Sequence, residues 1–127
     1  MVMNEMVYGP HLILDLSGCD PEILDSFEKC YYFLDSFPGI IGMKKLILPY
    51  VIRYKSSNEE ESGITGFVVI AESHISLHTY PKKGFVFVDI FSCRKFNVIL
   101  AKEMIARYFK CCSYEESLVE RGKNFSS

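Results

Sequence analysis

The chain reads Glu72-Ser73-His74-Ile75-Ser76-Leu77-His78-Thr79-Tyr80-Pro81, and the pair Ser92-Cys93 follows one apolar run later. A hydroxyl, two imidazoles and a thiol thus fall in two neighbouring segments. A hydroxyl can attack a carbonyl, a neutral imidazole can take a proton near pH 7, and a protonated thiol can return one. Each residue also has an ordinary role. His74 and His78 read on their own as hydrogen-bonded strand histidines, and Cys93 as a small buried hydrophobe. A zinc site made of His74, His78 and Cys93 lacks the ligand spacing that such sites use.

Whether these groups meet depends on the strands that carry them. Residues 74–79 alternate polar and apolar, so period two puts His74, Ser76 and His78 on one face and Ile75, Leu77 and Thr79 on the other. A second apolar strand, 84–91, follows the turn Pro81-Lys82-Lys83-Gly84. A hairpin of the two brings Cys93 back beside Ser73, which predicts one pocket shared by Ser73, His78 and Cys93.

The rest of the chain supplies the scaffold. Residues 11–16, 45–54 and 65–71 read as strands, with Pro49 marking an edge or a bulge, and 113–120 as a last short one. Asp20-Pro21-Glu22 opens a helix that Pro38-Gly39 closes, with Ile23, Phe27, Cys30, Tyr31 and Leu34 at helical spacing. Residues 97–109 form a second amphipathic helix, with Val98, Ala101, Ile105 and Tyr108 on one side, and 56–62 is an acidic surface loop. Phe37, Tyr50 and Tyr54 read as core aromatics, His11 as a structural strand residue, and Cys111-Cys112 as helix-end packing. The predicted fold class is α+β: a two-layer sandwich of a mainly antiparallel sheet covered by two helices on one face.

Composition narrows the functions. With 127 residues, 49% hydrophobic and 24% charged, the chain is one ordinary globular domain. A net charge of -2 with scattered basic residues argues against nucleic acid, and no apolar run approaches the ~20 residues of a membrane span. The cysteines Cys19, Cys30, Cys93, Cys111 and Cys112 are odd in number and show no CxxC spacing. Asn4, Glu5 and Pro10 spoil a secretory signal, so free thiols and a cytoplasmic location are expected.

The motif as a whole resembles one family. A Glu-Ser-His-x-[ST]-x-His-Thr-[aromatic]-Pro run, with a [ST]-Cys pair ending the next strand, is the pattern of the small prokaryotic S-adenosylmethionine decarboxylase proenzymes. Thr65-Gly66 stands where that family usually has Ser-Gly, and Gly18-Cys19-Asp20-Pro21 is similar to its first strand-to-helix corner. The resemblance runs over residues 11–122. It implies a proenzyme that cuts itself into chains 1–72 and 73–127. The Ser73 hydroxyl attacks the Glu72 carbonyl to give an ester, with Thr65 supporting that step. His78 takes the Ser73 Cα proton, and elimination and hydrolysis leave a pyruvoyl group. This cofactor, made without metal or pyridoxal phosphate, forms a Schiff base with the amine of a small-molecule substrate. Cys93 returns a proton after carbon dioxide leaves. The resemblance also implies a homodimer of processed protomers, and a product used in spermidine biosynthesis.

One position departs from the pattern. The family usually carries a glutamate that binds the ribose hydroxyls of S-adenosylmethionine where this chain has Lys82. A carboxylate accepts hydrogen bonds from both hydroxyls of a diol, whereas an ammonium only donates. Arginine or ornithine therefore stand as alternative substrates. A non-catalytic α+β binding module is a further alternative, against which the intact Ser73, His78 and Cys93 argue.

Overall fold

The computed structural model describes residues 7–125. Asn4 and Glu5, read above against a secretory signal, lie outside the described residues. Among the described residues the strands are β1 (Gly9–Ser17), β2 (Tyr50–Tyr54), β3 (Gly63–Ile70), β4 (Ser73–Tyr80), β5 (Phe85–Ser92) and β6 (Ser113–Arg121). They form one sheet in the order β2-β3-β4-β5-β1-β6, with every neighbouring pair antiparallel. The helices α1 (Pro21–Leu24), α2 (Phe27–Ile40) and α3 (Val98–Tyr108) pack on one face, which makes the expected two-layer α+β sandwich.

Period-two alternation decides which face each strand buries. Leu12, Leu14 and Leu16 of β1, Ile75 and Leu77 of β4, and Val86, Val88 and Ile90 of β5 are buried under the helices. Cys30, Phe33, Leu34 and Phe37 of α2 meet them, with Ala101 and Ile105 of α3. Each such large aliphatic or aromatic side chain contributes about 1.5–3 kcal/mol by leaving water. The opposite face has no helix over it. There Tyr50, Ile52, Tyr54, Phe67 and Phe87 are exposed, so Tyr50 and Tyr54 are not the core aromatics expected from their chemistry.

Side-chain caps set the helix limits. The Asp20 carboxylate accepts from the Glu22 amide (2.9 Å) and the Asn97 amide oxygen from the Leu100 amide (3.0 Å). The expected first helix divides in two, because Ser26 accepts from the Lys29 amide and starts a new helix. Pro38 does not stop that helix, which runs on to Ile40. The expected second strand also shortens to Tyr50–Tyr54, at the sheet edge where Pro49 had suggested it. Lys45 keeps one bridge to Ile70, and Leu46, Ile47 and Leu48 stay exposed.

Cys19 and Cys111 form a disulfide, which corrects the reading of free thiols throughout. The cause is the joint between the end of β1 and the end of α3. Gly18 takes a left-handed turn (φ 65°), the Asp20 amide donates to Phe109 O (2.9 Å), and the Cys112 amide donates to Ser17 O (3.0 Å). Those bonds bring two cysteines distant in sequence together; Cys30, Cys93 and Cys112 remain free. No helix among the described residues is long and apolar enough to cross a membrane.

Candidate active site

The tip of the β3–β4 hairpin is Ala71-Glu72, since Ile70 pairs with Ser73. On its other side β4 pairs with β5, and Ser73 stands opposite Ser92. This register delivers the Cys93 amide to the Glu72 carbonyl, to which it donates at 2.9 Å. The carbonyl next to Ser73 is therefore polarised by the backbone of the residue that carries the thiol. Ser92, fully buried, shapes this corner: its hydroxyl donates to Arg94 O (2.6 Å) and accepts from Arg94 N (3.0 Å).

Two further side chains close on the corner. The Tyr8 hydroxyl lies 3.5 Å from Ser73 Oγ, and its ring packs on Phe91 and Phe125. The Glu72 side chain is buried, and its carboxylate accepts from Arg94 Nη2 (2.7 Å) and from the Lys44 amide (3.4 Å). A cavity of about 270 Å³ opens beside Cys93, lined also by Tyr8, Lys95, Phe96, Leu118 and Glu120. Cys93 is half-buried, and Cys30 lies in the core, where burial pushes its thiol up to about 12. On the uncovered face nearby, His74 lies edge-on to Phe91. Burial, and then the neighbouring His11, hold His74 below the usual histidine range. His11 itself bonds Asp89 (3.1 Å).

The opposite end of β4 carries the second cluster. Thr65 and His78 are direct cross-strand partners, and Thr65 Oγ1 is 2.7 Å from His78 Nδ1. His78 is exposed on the uncovered face. It stands five positions beyond Ser73 on an unbroken strand, a rise of about 16 Å. The single pocket expected for Ser73, His78 and Cys93 thus separates within one chain. Ser73 joins Cys93 at one end, and His78 joins Thr65 at the other.

Past the His78 end, Pro81–Lys83 makes a 3-10 turn closed by Gly84 in the left-handed region (φ 62°). Lys82 there lines a cleft with Asp25, Arg53, Tyr54 and Glu59, away from the Cys93 cavity. Thr79 points into the core, where its hydroxyl donates to Leu24 O (2.8 Å) and accepts from the Ile64 amide (2.9 Å), pinning α1 to the sheet. No group of three or more His, Cys, Asp or Glu among the described residues is arranged to hold a metal. Tyr8, Arg94 and Glu120 escaped the sequence reading. Arg94 follows Cys93 directly, but only the register of β4 on β5 brings it to Glu72, and only the pairing of β1 with β5 and β6 brings Tyr8 and Glu120 to this corner.

Comparison with known proteins gives the family and the fold. The S-adenosylmethionine decarboxylase family profile matches residues 10–122. The chain is 32% identical to an S-adenosylmethionine decarboxylase proenzyme of Thermococcus kodakarensis, over 90% of this chain and 76% of that one. It is 35% identical to the proenzyme of Thermodesulfovibrio yellowstonii, over 81% of this chain and 73% of the relative. Its fold is similar to the crystal structure of the adenosylmethionine decarboxylase from Aquifex aeolicus, with a TM-score of 0.74 and 27% identity over 91% of this chain and 92% of that one.

Proposed function

The chain belongs to the S-adenosylmethionine decarboxylase family and is an enzyme of it, and from that premise we propose that it matures by cutting its own Glu72–Ser73 bond. The observation that carries this reading is the Cys93 N–H bond to the Glu72 carbonyl beside Ser73. A backbone donor aimed at the attacked oxygen stabilises the charge that builds there. Ser73 Oγ adds to the Glu72 carbonyl carbon, and the peptide C–N bond breaks to give an ester and a free amine. A base removes the Ser73 Cα proton, and the Glu72 carboxylate leaves as a dehydroalanine forms. That group tautomerises to an imine, and water replaces its nitrogen as ammonia, leaving pyruvoyl at the start of chain 73–127.

His78 is the base in this scheme, with Thr65 holding its Nδ1 side and supporting the ester. Since His78 lies about 16 Å from Ser73 along β4 and Thr65 is its cross-strand partner on β3, a second copy supplies them. We take the enzyme to be a homodimer whose uncovered sheet faces meet. The exposed Tyr50, Ile52, Phe67 and Phe87 are apolar area in need of cover, which supports this assembly.

In the mature enzyme the substrate amine condenses with the pyruvoyl ketone, and carbon dioxide departs. The Cys93 thiol then protonates the α-carbon. S-adenosylmethionine, a precursor for spermidine biosynthesis once decarboxylated, suits the cavity beside Cys93. Its lining includes the aromatic rings of Tyr8 and Phe96, which attract a sulfonium, and the Glu120 carboxylate. Arginine and ornithine are the competing substrates, because Lys82 stands where the family has its diol acceptor.

Intact mass on a denatured and reduced sample tests the reading. Wild type gives two chains, the downstream one lacking a free amine, and releases carbon dioxide from S-adenosylmethionine but not from arginine or ornithine. Ser73→Ala stays one chain of 14.6 kDa. Cleavage of Ser73→Ala at the same bond sinks the proposal.

A further inference from the structure

Glu72 is held at two points, and its side chain is the less obvious of them. Its carbonyl takes the Cys93 N–H (2.9 Å), while its carboxylate takes Arg94 Nη2 (2.7 Å) and the Lys44 amide (3.4 Å). Arg94 also donates to Gly42 O (3.3 Å), and Ala71 N donates to Lys44 O (2.8 Å). The hairpin tip is therefore fastened to the 42–44 segment on one side and to the residue after Cys93 on the other. Arg94 is itself set by Ser92, whose buried hydroxyl bonds both its N and its O.

One hydrogen bond at the carbonyl leaves the peptide plane free to rotate about that bond. A second anchor on the side chain removes the rotation and fixes the face that the carbonyl carbon shows to Ser73 Oγ. The two ends of the ion pair differ in solvation. The Arg94 side chain is 61% exposed and that of Glu72 only 8%. An exposed guanidinium contributes little to global stability. Its loss leaves a buried carboxylate with one long amide bond, and such a group moves toward water and carries its carbonyl with it.

We propose that Arg94 is a positioning residue for self-cleavage: through Glu72 it presents the scissile carbonyl to Ser73, and after the break it retains the new C-terminus of the upstream chain. This rests on the self-cleavage reading of the same site. Full-length chains are made by cell-free translation, and cleavage is followed over time on reducing denaturing gels for wild type, Arg94→Ala, Arg94→Lys, Glu72→Gln and the Arg94→Ala/Glu72→Gln pair. Arg94→Ala and Glu72→Gln each slow cleavage by about tenfold or more. Arg94→Lys recovers part of the rate, and the pair is no slower than the worse single variant, because both changes remove one contact.

Thermal melting of Arg94→Ala in the uncleavable Ser73→Ala background stays within a few degrees of Ser73→Ala alone. Cleavage of Arg94→Ala at the wild-type rate overturns the inference and leaves self-cleavage standing. Multiplying defects in the pair, or a large melting loss, overturns it as well. A wild-type chain that stays whole sinks the self-cleavage reading, and this inference with it.

Discussion

At the Ser73 end of β4 the polar groups around Glu72 are held. The Glu72 carbonyl and carboxylate have donors, Ser92 is fully buried with both its bonds made, and Tyr8 stands over the serine. At the other end, the Thr65 and His78 side chains bond each other, and His78 is exposed on a sheet face without helices. A bond that must be attacked along one direction needs rigid presentation, and the first end supplies it. A base that must reach a proton outside its own chain needs to stand clear, and the second end does. The difference points to a site divided between two copies.

The largest effect expected comes from His78→Ala. With no imidazole to take the Cα proton, pyruvoyl formation falls by about 10²–10⁴. Co-expression with Ser73→Ala chains, which keep Thr65 and His78, restores cleavage of the His78→Ala chain. A Ser73→Ala/His78→Ala partner restores nothing. If mixing never rescues cleavage on a mass spectrum, the base acts within its own chain and the comparison between the two ends collapses.

Cys93→Ala sharpens the first end. The backbone N–H that holds the Glu72 carbonyl survives this change. Cleavage should therefore proceed while productive decarboxylation drops by about 10² or more as the proton donor is lost. The checks are chain masses and carbon dioxide release on one sample. An uncleaved Cys93→Ala chain would show that the thiol, and not the amide, serves maturation.

What was readable in the sequence follows from the range of each signal. Alternation is local, so the faces of β4 and β5 and the meeting of Cys93 with Ser73 were legible in residues 74–93. The polar tip of a hairpin names its own partners. Reach along a strand is not written in residue types, and the shared pocket for Ser73 and His78 failed because five extended residues do not fold back. Tyr50 and Tyr54 resemble core residues until the sheet proves uncovered on their side. Tyr8, Arg94 and the Cys19–Cys111 bridge depend on contacts between distant segments, which no window of sequence displays.

That bridge makes a smaller prediction. Cys19 lies upstream of the Glu72–Ser73 bond and Cys111 downstream, so the disulfide ties the two product chains together. Without reductant, matured protein should run as one species on a denaturing gel, and with reductant as two. Cys19→Ser should give two chains in either case and lose about 2–4 kcal/mol in denaturant unfolding. Two separate chains from wild type without reductant would break this expectation.

The smallest effect belongs to Lys82, which sits just past the His78 end and so belongs with Thr65 and His78 rather than with Cys93. In a divided site that end faces the Ser73 corner of the other copy, and a residue there reaches the far part of the substrate. An ammonium cannot accept from a diol, so Lys82→Ala should leave KM for S-adenosylmethionine nearly unchanged. Lys82→Glu supplies an acceptor, and a hydrogen bond to a charged group contributes about 1.5–3 kcal/mol when well placed. Lys82 is exposed, so water competes and the low end of that range applies, or about a tenfold lower KM with kcat little altered. The same variant should not improve turnover of arginine or ornithine, which have no diol. An unchanged KM for S-adenosylmethionine in Lys82→Glu would place position 82 outside the nucleoside site and leave only Thr65 and His78 to be shared between copies.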